Sequence, residues 1–281
     1  MKAFLFNLQF LFMSMSNPAQ TTFVQTTIGK IAIYKTERKT DKLPIILLHG
    51  VYFDHHLWDE QVKYISDRTV ISIDMPLHGE SRAITKSDWS LNDCAEMLIE
   101  ILDSLQIPQV IAVGHSWGSM SILRAAIKNP ERFDSIGLCN MPFEAATLKQ
   151  KMKFKLQHKL LLFRKFYTNQ VAKAMYGKSS LKQNPLLFKQ LQRPMNILSI
   201  NNIKQTDKHV IFDAEDTTTM IINLKVKAIA LKGDEEYVPT PPKIETICVE
   251  GGHISPLEAP TKVLDLIASL LGNKGKQFSQ A

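Results

Sequence analysis

The sequence predicts an α/β fold in which helices cover a mainly parallel central sheet. Short aliphatic and β-branched runs alternate with longer segments of helical periodicity along most of the chain, which is typical of successive strand–helix units. The chain has 281 residues and is 44% hydrophobic, which is enough to bury a substantial core. No internal repeat or low-complexity segment interrupts the alternation. We therefore expect a globular α/β protein.

The strands can be placed in order, and the first two differ from the rest. The segments TTFVQTTI and KIAIYKTE predict an antiparallel pair that turns at Gly29. The strands that follow are PIILLHG, TVISIDMP, QVIAVGHS and FDSIGLCN and, after a long intervening segment, VKAIALKG and KIETICVE. Apolar residues at helical spacing predict helices at about 58–66, 91–105, 118–128 and 260–271.

A serine lies where one of these strands meets a helix. Ser116 is the centre of GHSWG, a GxSxG pattern at the end of QVIAVGHS. A sharp strand-to-helix turn would strain this serine and expose its hydroxyl, and Gly114 and Gly118 would let neighbouring backbone approach. The helix N-terminus behind it favours developing negative charge. A simpler alternative is that Ser116 only caps the helix.

A histidine near the end of the chain completes a set of motifs. His253, in GGHISPLEAP, follows the last predicted strand and precedes the closing helix, whereas the other seven histidines are expected to be structural or solvated. Four motifs occur in an order that resembles the α/β-hydrolase family over about residues 23–271. They are HG at His49 and Gly50, DMPLHGES, GHSWGS and GGHISPLEAP. The resemblance implies a mostly parallel sheet with helices on both faces and a helical cap insertion.

The resemblance also implies roles for individual residues. Ser116 would be the nucleophile and His253 the general base and later the general acid. The backbone N–H groups of Val51 and Trp117 would form an oxyanion hole. A serine hydroxyl becomes a good nucleophile only when an imidazole takes its proton, and the imidazole in turn needs a carboxylate on its other nitrogen.

The acid is less clearly defined than the serine and the histidine. In GDEEYVPTPP the family pattern places the acid three residues after the glycine, at Glu236. Asp234 has the more usual side chain but comes earlier in the loop, so it stays as the alternative. The turn contains three acidic residues, Asp234, Glu235 and Glu236, and at least one of them is expected to be a solvated surface residue without a catalytic role.

The sequence departs from the family in two further features, a short connection between the last strands and one turn residue. Only 17 positions separate 236 from 253, and three prolines lie among them, so a helix that relatives commonly carry between the last strands is expected to be missing. Leu77 stands where the DxPGHGxS motif has its first glycine, and we expect an altered turn there rather than altered chemistry.

The resulting functional hypothesis is a serine hydrolase that cleaves a small carboxylic ester or lactone through an acyl-serine intermediate. Serine rather than aspartate at residue 116 argues against epoxide hydrolase chemistry. A carbon–carbon bond hydrolase with the same triad, or a catalytically silent binding protein on the same fold, are the alternatives. No cofactor and no metal are expected, because the sequence has neither a nucleotide-binding glycine loop nor a set of spaced metal ligands.

The segment 141–216 lies where the family inserts its cap and is strongly basic. It holds 14 Lys and Arg against 5 Asp and Glu, a balance of +9 within a chain of net +7, so the remainder carries −2. Around 149–167 the apolar residues recur at helical spacing: Met152, Leu156, Leu160, Phe163, Phe166 and Tyr167. We expect one amphipathic helix whose apolar face packs over the core. Contact with a membrane surface or guidance of an anionic substrate are alternatives, and nucleic acid is disfavoured.

The domain organisation follows from these assignments. Residues 21–140 and 217–281 would form the hydrolase core, 141–216 the basic cap, and 1–20 an extension or a poor signal peptide. Three widely spaced cysteines suggest no disulfide framework. A cytoplasmic location is expected, with export as the alternative if residues 1–20 act as a signal.

Overall fold

A computed structural model of the protein describes residues 20–272. The prediction for the N-terminal segment therefore lies, except for its last residue, outside the described residues. The centre of the fold is an eight-stranded sheet with strand order β1-β2-β4-β3-β5-β6-β7-β8. The strands are β1 Gln20–Gln25, β2 Lys30–Thr36, β3 Ile45–Leu48, β4 Val70–Ile73, β5 Val110–His115, β6 Phe133–Cys139, β7 Lys227–Gly233 and β8 Glu245–Val249.

The pairing of the strands matches the predicted fold class. β1 pairs antiparallel with β2 and β2 antiparallel with β4, whereas all remaining neighbours are parallel. The predicted turn at Gly29 is present, and only glycine suits it, because φ is 150° and a Cβ would lie 2.4 Å from the Ala83 carbonyl oxygen. Every residue of β3, β4 and β5 is buried, as expected for central strands covered on both faces.

Helices flank this sheet. The core contains α1 Asp59–Tyr64, α2 Leu91–Ser104, α3 Trp117–Lys128, α9 Thr218–Ile222, α10 Ser255–Glu258 and α11 Pro260–Leu270. α2 packs on α3, which packs on β5, while α11 packs on β6 and β7 and contacts α1. The predicted mainly parallel α/β architecture is confirmed.

A run of helices lies between β6 and β7. They are α4 Leu148–His158, α5 Arg164–Met175, α6 Lys178–Gln183, α7 Leu186–Ile197 and α8 Ile200–Asp207, which continues into a π-helical turn at Lys208–Phe212. We call the segment 141–216 the helical insertion. It is attached to the core by hydrogen bonds from Tyr52 Oη to Asp207 Oδ1 at 2.7 Å and from Asn202 Nδ2 to the Leu77 carbonyl at 3.1 Å.

The first part of the insertion differs from the predicted single helix over 149–167. α4 ends at His158, and a series of turns over 159–163 separates it from α5. Within and after these turns Leu161 and Tyr167 point into the protein and are buried. Anchoring both side chains changes the direction of the chain, which one straight helix cannot do.

The prediction that the apolar face of this segment packs over the core is wrong for most of its residues. Tyr167 is buried and Leu160 is partly buried. The other four, Met152, Leu156, Phe163 and Phe166, are exposed, and α4 has no buried residue at all. The insertion is held by α5, α7 and α8, and α4 lies on its surface.

The connection between the last two strands is short. Residues 234–244 join the parallel strands β7 and β8 without a helix, as the proline-rich sequence predicts. The carboxylates considered for the candidate site lie at the start of this connection.

Candidate active site

Ser116 lies at a strained turn between β5 and α3. Its φ of 50° and ψ of −110° are unfavourable for a residue with a side chain. Both glycines of GHSWG are required by close contacts: a Cβ at Gly114 would lie 2.3 Å from the Ser119 nitrogen, and one at Gly118 would lie 2.2 Å from the Leu48 carbonyl oxygen. The sharp, strained strand-to-helix turn predicted at Ser116 is present.

A chain of hydrogen bonds starts at the serine hydroxyl. Ser116 Oγ lies 2.9 Å from His253 Nε2, and His253 Nδ1 lies 2.5 Å from Glu236 Oε1. With a carboxylate as acceptor, Nδ1 carries the proton, so Nε2 is free to accept the serine proton. The side chains of His253 and Glu236 are 2% and 0% exposed. Ser116 makes no side-chain cap of α3, which removes the simpler interpretation of this residue.

The three carboxylates of the β7–β8 connection have different partners. Asp234 is exposed and accepts from the Gly251 N–H at 3.0 Å. Glu235 is also exposed and accepts from the Lys178 N–H at 2.9 Å and from Ser179. Only Glu236 is in contact with His253, so the structure brings together one of the two predicted acids and leaves Asp234 outside the hydrogen-bond chain.

Glu236 is held by a residue that sequence reasoning did not single out. Asn140, directly after β6, donates from Nδ2 to Glu236 Oε2 at 2.7 Å. The Asn140 Oδ1 accepts from the Ser255 hydroxyl at 2.5 Å, and its backbone has a φ of 52°. The only signal in the sequence is that the asparagine ends a buried strand, and asparagine tolerates positive φ better than most residues.

The loop that carries His253 is fixed from several sides. The N–H groups of Gly252 and Ile254 both donate to the Glu258 carboxylate at 2.8 Å. The His253 N–H donates to the Met175 carbonyl of α5 at 2.6 Å, and His115 Nε2 donates to the His253 carbonyl at 2.7 Å. Glu258 was also not singled out in the sequence, where it appears as an ordinary helical residue.

The helical insertion packs directly against the backbone of the loop that carries His253, with no space for an additional atom at Gly252. A Cβ on Gly252 would lie 2.4 Å from the Gly177 nitrogen and 2.6 Å from the Met175 carbonyl oxygen. Residue 252 must therefore be glycine if the end of α5 is to reach the histidine loop.

The HG motif places Val51 beside the serine. A Cβ on Gly50 would lie only 3.1 Å from Ser116 Cβ, so this loop and the elbow are in direct contact. The backbone N–H groups of Val51 and Trp117, the predicted oxyanion donors, enter no hydrogen bond among residues 20–272. Both therefore have donor capacity that a ligand oxygen could use.

Two buried histidines support the loop that carries Val51. His49 Nε2 accepts from the Met75 N–H at 2.9 Å, and His78 Nε2 accepts from the Tyr52 N–H at 3.1 Å. Burial lowers the pKa of His49. Burial, together with repulsion from His49 when that ring is protonated at low pH, lowers the pKa of His78 to about 3. Both rings are therefore neutral at pH 7 and act as acceptors, in line with the structural role expected for them.

The DMPLHGES motif builds the turn next to this loop. Leu77 has a φ of 69°, so the leucine occupies the left-handed region that glycine would favour. Asp74 accepts from the Glu80 N–H and from His55 at 2.8 and 2.9 Å. Burial alone would raise the pKa of Asp74, but the hydrogen bond and charge of His55 lower it to about 2.

Comparison with known proteins supports the same family. The family model for the alpha/beta hydrolase fold matches residues 44–260, which is most of the chain. The chain belongs to the α/β-hydrolase family. The resemblance predicted from the sequence motifs is confirmed.

The relatives within this family are distant or match only in part. An (E)-2-((N-methylformamido)methylene)succinate hydrolase from Acinetobacter baylyi is 34% identical over 98 residues, which cover 34% of this chain and 37% of the relative. Among solved structures, an esterase from Thermogutta terrifontis has a TM-score of 0.78 at 19% identity and covers 90% of this chain and 98% of its own. An enol-lactonase from Burkholderia xenovorans has a TM-score of 0.80 at 15% identity, with coverages of 89% and 100%. At these identities, the structural likeness concerns the fold.

Proposed function

We propose that this protein is a serine hydrolase that cleaves a small carboxylic ester or lactone through an acyl-serine intermediate. The observation that carries the proposal is the continuous hydrogen-bond chain from Ser116 through His253 to Glu236 at a strained strand-to-helix turn. An intact chain of this kind favours an enzyme over a silent binding protein, because a binding protein has no need for it.

In the first half of the reaction Ser116 Oγ attacks the carbonyl carbon while its proton passes to His253 Nε2. Glu236 stabilises the imidazolium that forms, and the N–H groups of Val51 and Trp117 stabilise the negative oxygen of the tetrahedral intermediate. Collapse of the intermediate breaks the bond to the alcohol, and His253 returns its proton to the departing alkoxide. The acyl group is then attached to Ser116.

In the second half a water molecule replaces the alcohol. His253 takes a proton from the water, which attacks the acyl carbon through a second tetrahedral intermediate at the same two N–H groups. Collapse releases the carboxylic acid, and the proton on His253 returns to Ser116 Oγ. With a lactone the alcohol and the acid remain parts of one product.

The burial of the site favours a small substrate. Ser116 is 5% exposed, so little of its surface is open to solvent. We propose that the helical insertion acts as a cap over this site, since the end of α5 contacts the His253 loop directly. A nearly enclosed nucleophile suits a short acyl group better than a polymer or a long chain.

The test is labelling with a fluorophosphonate, which reacts with an activated serine. We expect the folded protein to be labelled at Ser116 and Ser116→Ala to remain unlabelled. A panel of p-nitrophenyl esters and lactones would then define the preferred acyl size. Absence of labelling in folded protein would contradict the proposal and favour a silent binding protein. A labelled protein that cleaves carbon–carbon bonds but no ester or lactone would contradict the substrate class.

A further inference from the structure

The first two helices of the insertion expose an unusual number of large apolar side chains. Leu148, Met152 and Leu156 recur every four residues on α4, so they share one face of the helix. Three more follow in the turn and at the start of α5. We call this set the apolar patch; its members and their exposures are Leu148 81%, Met152 70%, Leu156 62%, Leu162 80%, Phe163 68% and Phe166 50%.

The same segment carries only positive charge. No Asp or Glu occurs between residues 145 and 206. The exposed lysines that accompany the apolar patch are Lys149, Lys153, Lys155, Lys159 and Lys165. None of these five forms an ion pair with any residue in the range 20–272. The patch is thus surrounded by cations whose charges are not balanced by neighbouring side chains.

This combination points to one kind of partner. Exposed apolar patches mark interaction sites, and protein interfaces are depleted in lysine. A second copy of the chain would bring two positive surfaces together, which is unfavourable. An anionic lipid surface satisfies both features, because apolar side chains enter the acyl boundary while lysines contact phosphate and carboxylate groups.

We infer that α4, the turn over 159–163 and the start of α5 form a docking surface for anionic membranes. The attachment is peripheral. Among the residues the structure describes, no helix combines the length and apolar character required to cross a bilayer. The surface lies outside the residues of the candidate active site, so membrane docking does not depend on the proposed hydrolase activity.

The experiment is sedimentation of the full-length protein with vesicles. Vesicles of phosphatidylcholine alone are compared with vesicles that contain about 30% phosphatidylserine. We expect binding to the anionic vesicles, weak binding to the neutral ones, and release as salt rises from about 0.1 M to about 0.5 M. Binding by Ser116→Ala protein equal to that of the wild type would show that docking is independent of catalysis.

A first pair of variants tests the apolar contribution. The triple change Leu156→Ser, Leu162→Ser and Phe163→Ser should weaken partition to anionic vesicles by about tenfold or more, because three apolar side chains no longer enter the lipid. Because all three are exposed, the fold should be unaffected, which circular dichroism checks. The matched control is Phe23→Ser with Tyr64→Ser, two partly exposed aromatics on the core, and should bind like the wild type.

A second pair tests the charge. Lys153→Gln with Lys155→Gln should lower binding to anionic vesicles by about tenfold or more and reduce its salt dependence, because two cations no longer contact the anionic headgroups. Lys39→Gln with Lys63→Gln, which removes two exposed lysines elsewhere, should have little effect.

Three outcomes would overturn the inference. The first is that wild-type protein does not bind anionic vesicles. The second is that both double-change controls weaken binding as much as the patch variants do, which would indicate non-specific attraction. The third is a concentration-dependent dimer that the triple change abolishes, in protein that ignores vesicles, which would assign the patch to a second copy of the chain.

Discussion

The central sheet and helix α4 bury their residues to opposite extents. Every residue of β3 and β5 is buried, although these strands are short. α4 has 11 residues and none is buried. Burial on both faces fixes the position of a strand by many contacts at once. α4 contacts the protein along one side, where Lys151 Nζ donates to the Phe212 carbonyl and His158 Nε2 lies 2.7 Å from Asp207 Oδ2. The side chains whose positions are most tightly fixed are therefore those next to the sheet, whereas the exposed side of α4 is free for contacts with another surface.

The candidate active site follows this division. Its residues follow the ends of sheet strands, and the side chains of Ser116, His253 and Glu236 are hydrogen-bonded in sequence, with Glu236 also paired to Asn140. Buried polar groups that are fully paired restrict the geometry more strongly than exposed ones, because an unpaired arrangement is costly. The insertion reaches the site mainly through the end of α5.

The largest expected effect is on kcat, and it should distinguish the buried carboxylate of Glu236 from the exposed carboxylate of Asp234 in the same loop. Glu236→Gln should lower kcat by about 10³ to 10⁴, since the amide cannot stabilise the imidazolium and favours the wrong tautomer. Asp234→Asn should leave kcat within a few-fold of the wild type, because the Asp234 carboxylate is exposed and its hydrogen-bond partner within residues 20–272 is the Gly251 N–H rather than His253. Steady-state kinetics on the best ester would measure both. Equal losses, or the reverse order, would contradict the assignment of Glu236.

A smaller effect is expected on the free energy of unfolding when a leucine is shortened in the sheet rather than on α4. Leu48 in β3 is fully buried, and Leu48→Ala should reduce the free energy of unfolding by about 2–5 kcal/mol. Leu156 on α4 is 62% exposed, and Leu156→Ala should change it by no more than about 0.5 kcal/mol. Urea unfolding measures both. A large loss for Leu156→Ala would mean that α4 packs against other residues in solution.

The smallest expected effect concerns pH. The pKa of His78 is about 3 in the folded protein against 6.5 ordinarily, so below pH 6.5 the unfolded chain binds a proton that the folded protein does not. Stability from the neutral ring is present above pH 6.5 and decreases as the pH falls toward 3, by at most about 1.4 kcal/mol per pH unit. His78→Gln should remove that part of the slope between about pH 6 and pH 4, as measured by urea unfolding.

The control for this measurement is a histidine with the opposite shift. The hydrogen bond with Asp59 raises the pKa of His56, which is half exposed. His56 therefore contributes stability below its unfolded pKa, and this is lost as the pH rises. His56→Gln should leave the acid-side decrease as steep as in the wild type or slightly steeper. A flatter slope in this variant would contradict the assignment of the slope to His78.

Much of the fold and part of the site could be predicted because the signals are local. The position of Ser116 follows from one strand, one GxSxG pattern and one helix in succession. The choice between Glu236 and Asp234 could not be made in the same way. Both lie in one short loop, and which of them reaches His253 depends on how β7 and β8 are joined and on Asn140, which is distant in sequence.

The exposed face of α4 was not predictable for a related reason. Apolar periodicity shows that a helix has two faces, but it does not identify what covers the apolar one. The break over 159–163 contains no proline or glycine that would signal it. It results from the burial of Leu161 and Tyr167, which is a property of the tertiary structure.

The contact between Gly252 and the end of α5 restricts how this protein can be recombined with its relatives. Met175 accepts the His253 N–H, and Gly252 leaves no space for even a methyl group. An insertion transplanted from another hydrolase would have to reproduce the backbone path at 175–177 to within a few tenths of an ångström. Loop exchanges that stop before residue 175 preserve this junction, whereas exchanges that extend past it replace part of the support for the histidine.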